Sequence, residues 1–148
     1  MPRTVLIAID ASVASHALLD LAERYCTPQA HAVHVVLAID ATFAVHGRPA
    51  VFTEQELDDF PAACDEQRQA DQAMAGALRR LREAGFACTG ALLAQTPVEA
   101  IVTQATTLDC ELIIMGHRHL SRLGRLLDPS ISAKVIDQVS VPVLVGVA

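Results

Sequence analysis

None of the short motifs that announce a catalytic centre occurs in this sequence. There is no G-x-S-x-G nucleophile elbow, no H-E-x-x-H zinc helix and no Walker A lysine loop. G-x-G-x-x-G is missing too, which counts against a nicotinamide dehydrogenase. No apolar stretch approaches the ~20 residues that span a bilayer. The run at 5–9 is too short for a signal-peptide core and lacks a small-residue cleavage site, so a first strand is expected there. The four cysteines, Cys26, Cys64, Cys88 and Cys110, stand singly with no C-x-x-C pair. That pattern favours reduced, mostly buried thiols in a cytoplasmic protein over a disulfide framework. Charge is scarce at 19% of residues and sums to −6, against general binding to nucleic acid or anionic membranes. His117 and His119 alternate with no nearby Cys or carboxylate partner, and read as solvated loop residues rather than metal ligands.

What the chain does have is apolar residues, 52% of 148, enough for one good core in a single domain spanning 1–148. Strand-length apolar runs recur at 5–9, 32–38, 88–94, 112–115 and 143–147, rich in Val, Ile and Leu without polar alternation. Continuous runs of this kind suit strands buried on both faces of a parallel sheet. Helix-length segments lie between them. The first, 12–25, places Leu18, Leu19 and Ala22 on one face, with Ser12 or Ser15 expected as its N-cap. Thr53-x-x-Glu56 is a capping-box pattern, Pro61 breaks or restarts the helix, and the main body is expected over 62–84 with Gly85 as its stop. Thr96 then caps a helix over 98–107 with Pro97 in its first turn, and Asp128-Pro129-Ser130 opens a last one. This alternation predicts an α/β fold with right-handed crossovers. The longest connection, 40–52, has the length of a lid or a partner surface.

In an open parallel sheet, ligands bind outside the carboxyl ends of the strands, where strand order reverses. Asp10 after the first strand, the segment after Val35 in the second, and the loop after Gly116 in the fourth converge there. That loop, "MGHRHLSRLGRLLDPS", leaves a buried strand through glycine into basic sequence, the outline of a phosphate cradle.

Together "VLIAIDASVASHALLDLA", "TPVEAIVTQA", "ELIIMGHRHLSRLGRLLDPSISAKVI" and "VPVLVGV" resemble the universal stress protein family, in order and over the whole chain. The resemblance implies a Rossmann-like open sheet of five strands in the order 3-2-1-4-5, with helices on both faces. It also implies a homodimer paired through the last strand and, in many members, ATP at the switch point. ATP-binding members carry Gly-x2-Gly-x9-Gly followed by Ser or Thr. Counted from Gly116, those places fall on His119, Pro129 and Ser130, so the spacing is kept and two glycines are lost. Carried over in the same way, Asp10 meets ribose, Val35 bonds adenine through its backbone, Met115 and Gly116 floor the site, and Ser130 with Ile131 meets the phosphates.

The two departures are unequal. His119 keeps its N–H and can adopt a left-handed conformation. Pro129 has no N–H and a fixed φ, and Asp128 sets a carboxylate at the helix start that would otherwise attract phosphate. Arg118, Arg122 and Arg125 work the other way, as donors of charge-assisted bonds to an anion. Asp10 too has a simpler role open to it, capping the helix that follows. The expected function is therefore a regulatory or protective binding protein without turnover, in which nucleotide binding is weak or absent. The alternative is an ATP-binding switch with slow ATPase activity, and a flavodoxin-like enzyme or electron carrier ranks third.

Overall fold

Along β1 (Arg3–Ile9) every side chain from Val5 to Ile9 is buried, odd residues on one face of the sheet and even ones on the other. The computed structural model describes residues 1–39, 61–116 and 131–146. Within them, β1 is followed by α1 (Ser15–Tyr25), β2 (His31–Ala38), α2 (Pro61–Glu83), β3 (Cys88–Leu93), α3 (Pro97–Thr107), β4 (Leu112–Gly116), α4 (Ile131–Gln138) and β5 (Val143–Gly146). The strands form one parallel sheet in the order β3-β2-β1-β4-β5.

A strand's period of two sorts the core into two layers. Val5, Ile7 and Ile9 join Val33, Val35, Leu37 and Ile114 beneath α1 and α2. Leu6, Ala8, Val36, Ile113 and Met115 face α3 and α4. Both faces of the three central strands are therefore dry, which is why their sequence shows no polar alternation. β3 departs from that expectation: Thr89 and Gly90 are exposed, because an edge strand is only partly covered. Gly90 lets α2 sit close, since a Cβ there would collide with Met74 Sδ. Cys26 and Cys110 are buried free thiols and Cys88 is half-buried, while the Cys64 side chain lies outside the described part. Burial, and secondarily Asp109, pushes the Cys110 thiol up to about 11.

The helix ends follow their local chemistry. Thr96 caps α3 as expected, its side chain accepting from the Glu99 N–H at 3.3 Å with Pro97 next in line. Pro61 starts α2, one residue before the expected body, and Glu83 ends it one residue early. The 40–52 connection, the Thr53–Glu56 capping pattern and the Asp128-Pro129-Ser130 helix start lie outside the described residues. The same C-terminal motif closes α2 and α3. Phe86 N–H returns to Leu81 C=O at 3.0 Å across Gly85 (φ 95), and Cys110 N–H returns to Ala105 C=O at 3.1 Å across Asp109 (φ 50). α1 and α2 are tied on the outside by Arg80, which ion-pairs with Asp20 and Glu23.

One expectation needs correction. Neither Ser12 nor Ser15 is the N-cap of α1: the helix begins at Ser15, and the preceding Ala14 makes no side-chain cap. A tight turn with Ser15 N–H bonded to Ser12 C=O occupies the interval, and Asp10 holds that turn in place of a cap.

Candidate functional site

Asp10 is the first residue beyond β1, where the ladder stops and its own peptide needs new partners. Its carboxylate Oδ1 accepts from the Ser12 N–H at 2.8 Å, an Asx turn, and from the Ser12 hydroxyl. Ser15, buried at 9% exposure, completes the knot. Its Oγ accepts from the Asp10 N–H at 3.0 Å and lies 2.9 Å from Asp10 C=O and 3.0 Å from Oδ1, sharing one proton between two acceptors. Asp10 thus does not cap α1 itself; its carboxylate holds the turn ahead of the helix. An Asp-x-Ser-x-x-Ser spacing straight after a buried strand was the available signal for it.

β4 ends beside β1, the register pairing Ile7 with Ile114, so Asp10 and Gly116 come out on the same carboxyl edge. Gly116 in turn faces Gly146 of β5. Met115 is fully buried, its side chain in the layer under α3 and α4 with Ile131, the first residue of α4. Val35 sits elsewhere. It lies in mid-strand, fully buried, paired with Ile7 on one side and Gly90 on the other. Its peptide is inside the ladder, and the backbone at the carboxyl end of β2 belongs to Ala38 and Ile39. His119, Pro129 and Ser130 lie outside the described residues, as do His117 and the three arginines of that loop.

Two hollows flank Asp10. On the α3 side, a slot of ≈ 50 Å³ is lined by Ala8, Ile9, Asp10, Val36 and Ala38 together with Pro97, Ala100 and Ile101. Apart from Asp10 its walls are apolar. On the α1 side, a wider cleft of ≈ 260 Å³ runs between the Ser12–Ser15 turn and α2, past His16, Gln69 and Gln72. The slot residues were not legible as a site, because isolated Ala and Ile positions look like any other core residues.

Below the slot, on the same face of β2 as Val36, the buried His34 bridges β3 and α3. Its Nε2 is 3.0 Å from Gln104 Oε1, an acceptor, so Nε2 carries the proton. Nδ1 then accepts from the Thr89 hydroxyl at 2.7 Å. Burial lowers this imidazole's pKa, opposed by the bond to Gln104. His34 is therefore a neutral structural post, with both ring nitrogens occupied.

Comparison with known proteins agrees with this architecture. Residues 1–146 match the universal stress protein family. No curated protein matches the sequence. Among solved structures, the universal stress protein UspA from Lactobacillus plantarum superposes with a TM-score of 0.69 at 20% identity, over 97% of this chain and 96% of its own. The Archaeoglobus fulgidus universal stress protein in complex with dAMP gives 0.61 at 18% identity, over 98% and 97%. An Arabidopsis thaliana family protein with AMP bound gives 0.65 at 12% identity, over 99% and 92%. At these identities the likeness establishes the fold. Among the described residues no helix is long and apolar enough to cross a membrane.

Proposed function

The chain belongs to the universal stress protein family, and from that premise we propose a cytoplasmic regulatory or protective binding protein. It works as a homodimer without catalytic turnover and holds adenine nucleotide weakly at the carboxyl edge of its sheet. Structural neighbours solved with AMP or dAMP support that class of ligand. In this reading Asp10, Met115, Gly116 and Ile131 frame the site from the described elements. His119, Pro129 and Ser130 stand at the phosphate end, and the adenine-facing backbone is that of Ala38 and Ile39 rather than Val35.

The observation that carries weak binding is the state of Asp10. The Asp10 carboxylate, which the family resemblance would turn toward ribose, already accepts through Oδ1 from Ser12 N–H, Ser12 Oγ and Ser15 Oγ. At the phosphate end Pro129 offers no N–H and Asp128 adds negative charge. The second reading, an ATP switch with slow ATPase activity, draws on Arg118, Arg122 and Arg125 as substitute donors.

The homodimer follows from β5, which ends the sheet with half-buried Val143, Leu144 and Val145. An apolar edge strand left open is an aggregation liability, and a second copy meeting it about a twofold would satisfy both sets of backbone groups. Calorimetry with AMP and ATP tests the nucleotide reading. The expected dissociation constant for ATP is weaker than about 10 µM, and no nucleotide should leave the purified protein on heating, as read by mass spectrometry. Micromolar or tighter ATP binding would overturn it in favour of the switch.

A further inference from the structure

At the amino edge of the sheet, opposite the candidate site, a histidine is held by two partners, only one of which depends on its protonation state. His31 opens β2 with its side chain 19% exposed. Its Nδ1 lies 3.0 Å from the Thr27 backbone N, and an N–H can only donate, so Nδ1 is the unprotonated nitrogen. Nε2 therefore carries the proton and gives it to Glu111 Oε1 at 3.1 Å. The other oxygen of Glu111 accepts from Arg3 Nη1 at 2.9 Å.

Thr27 is the hub of the turn between α1 and β2. Its C=O accepts from both Ala30 N–H (3.1 Å) and His31 N–H (2.9 Å), and Ala30 C=O accepts from Arg3 N–H (2.9 Å) at the start of β1. The His31 ring thus closes the one remaining peptide group of Thr27. If the ring gains a proton, Nδ1–H faces Thr27 N–H, donor against donor, and that bond is lost. The bond to Glu111 is indifferent to that change, because Nε2–H donates to that carboxylate in either state. Glu111 also stays charged under mild acid, since the Arg3 hydrogen bond holds its carboxyl below the usual range.

We propose that His31 is a pH-operated latch: neutral, it holds both Glu111 and, through Thr27 N–H, the 27–31 turn; protonated, it keeps Glu111 alone and releases the turn. The charged group against it is Glu111, ahead of β4, which also pairs with Arg3 of β1 and acts on the Cys26 thiol just past α1. Burial first, then the Glu111 charge, raises the pKa of that thiol, so it stays neutral throughout. Release lowers local order at the junction of α1, β1 and β2 while the sheet ladder itself remains.

The test is amide hydrogen exchange on the full chain, read as the protection factor of Thr27 after correction for intrinsic rates, between pH 8 and pH 5. A typical net hydrogen bond predicts a fall of roughly fivefold at the acid end, with residues 5–8 of β1 unchanged. In His31→Asn, an amide oxygen can take the place of Nδ1 without titrating, so protection should persist at both pH values. Equal Thr27 protection at both pH values in the wild type, or an equal fall in His31→Asn, overturns the latch. Nitrogen-15 shifts of the wild-type ring at pH 8 give a check that needs no variant: the Nε2–H tautomer is expected, and the Nδ1–H tautomer refutes the proposal.

Discussion

Ser15 Oγ stands 3.0 Å from the Asp10 amide nitrogen and 2.9 Å from the Asp10 carbonyl oxygen, so one hydroxyl takes up both backbone groups of the residue that leaves the sheet. Both groups lie just past the end of β1, and Ser15 reaches them from the first position of α1. The knot makes the β1–α1 turn rigid and draws Asp10 into structure before any ligand arrives.

Replacing that hydroxyl removes the Ser15 acceptor from the Asp10 N–H. Ser15→Ala is expected to destabilise the fold by about 1–3 kcal/mol, seen as a lower urea midpoint with an unchanged slope. A loss under a few tenths of a kcal/mol would mean that solvent serves the Asp10 peptide equally well.

Asp109 and Gly85 occupy the same place in the same helix-ending motif, each with positive φ. Only glycine adopts that region without a steric cost. Asp109→Gly should therefore raise stability by up to ~1 kcal/mol, and Gly85→Ala should lower it by ~1 kcal/mol or more. Thermal melts of the two variants should move in opposite directions.

Burial lowers the pKa of His34 in the folded state, so the unfolded chain binds this proton more readily. The resulting stability is fully present above the unfolded imidazole value of ~6.5 and is lost as pH falls through the lower folded value. Denaturant unfolding should show a decline from pH 8 to pH 5 that flattens in His34→Gln. A variant that declines as steeply as the wild type assigns the acid sensitivity to other groups.

If Pro129 and Asp128 limit phosphate binding, Asp128→Gly combined with Pro129→Gly should tighten ATP binding by at least tenfold, about 1.4 kcal/mol. Unchanged calorimetric affinity would place the defect at Asp10 instead.

Pairing through β5 predicts a dimer by sedimentation at micromolar concentration. A monomer at high micromolar concentration rules that interface out and leaves the edge capped in some other way.

Much of the fold was legible in sequence because parallel strands buried on both faces must be apolar at every position, as in 5–9 and 112–115, whichever neighbours they meet. Caps that act within three residues were legible for the same local reason: Thr96-Pro97 reads as a helix start wherever it lies, and Gly85 as a stop. The family resemblance supplied the strand order, and the paired registers bear it out. What only the tertiary structure decided are relations between residues far apart in the chain. Val35 stands in the middle of its own apolar run, but that Ile7 and Gly90 flank it there came only with the pairing of β2 to β1 and β3. Ser12 and Ser15 went to the turn held by Asp10, and α1 starts with no side-chain cap, because the end of β1 fixes where that carboxylate stands. His31 and His34 are three residues apart on one strand, yet one meets Glu111 and the other Thr89 and Gln104. Sequence assigns both the same side chain, but a ring nitrogen's proton is settled by the donor or acceptor that packing brings against it.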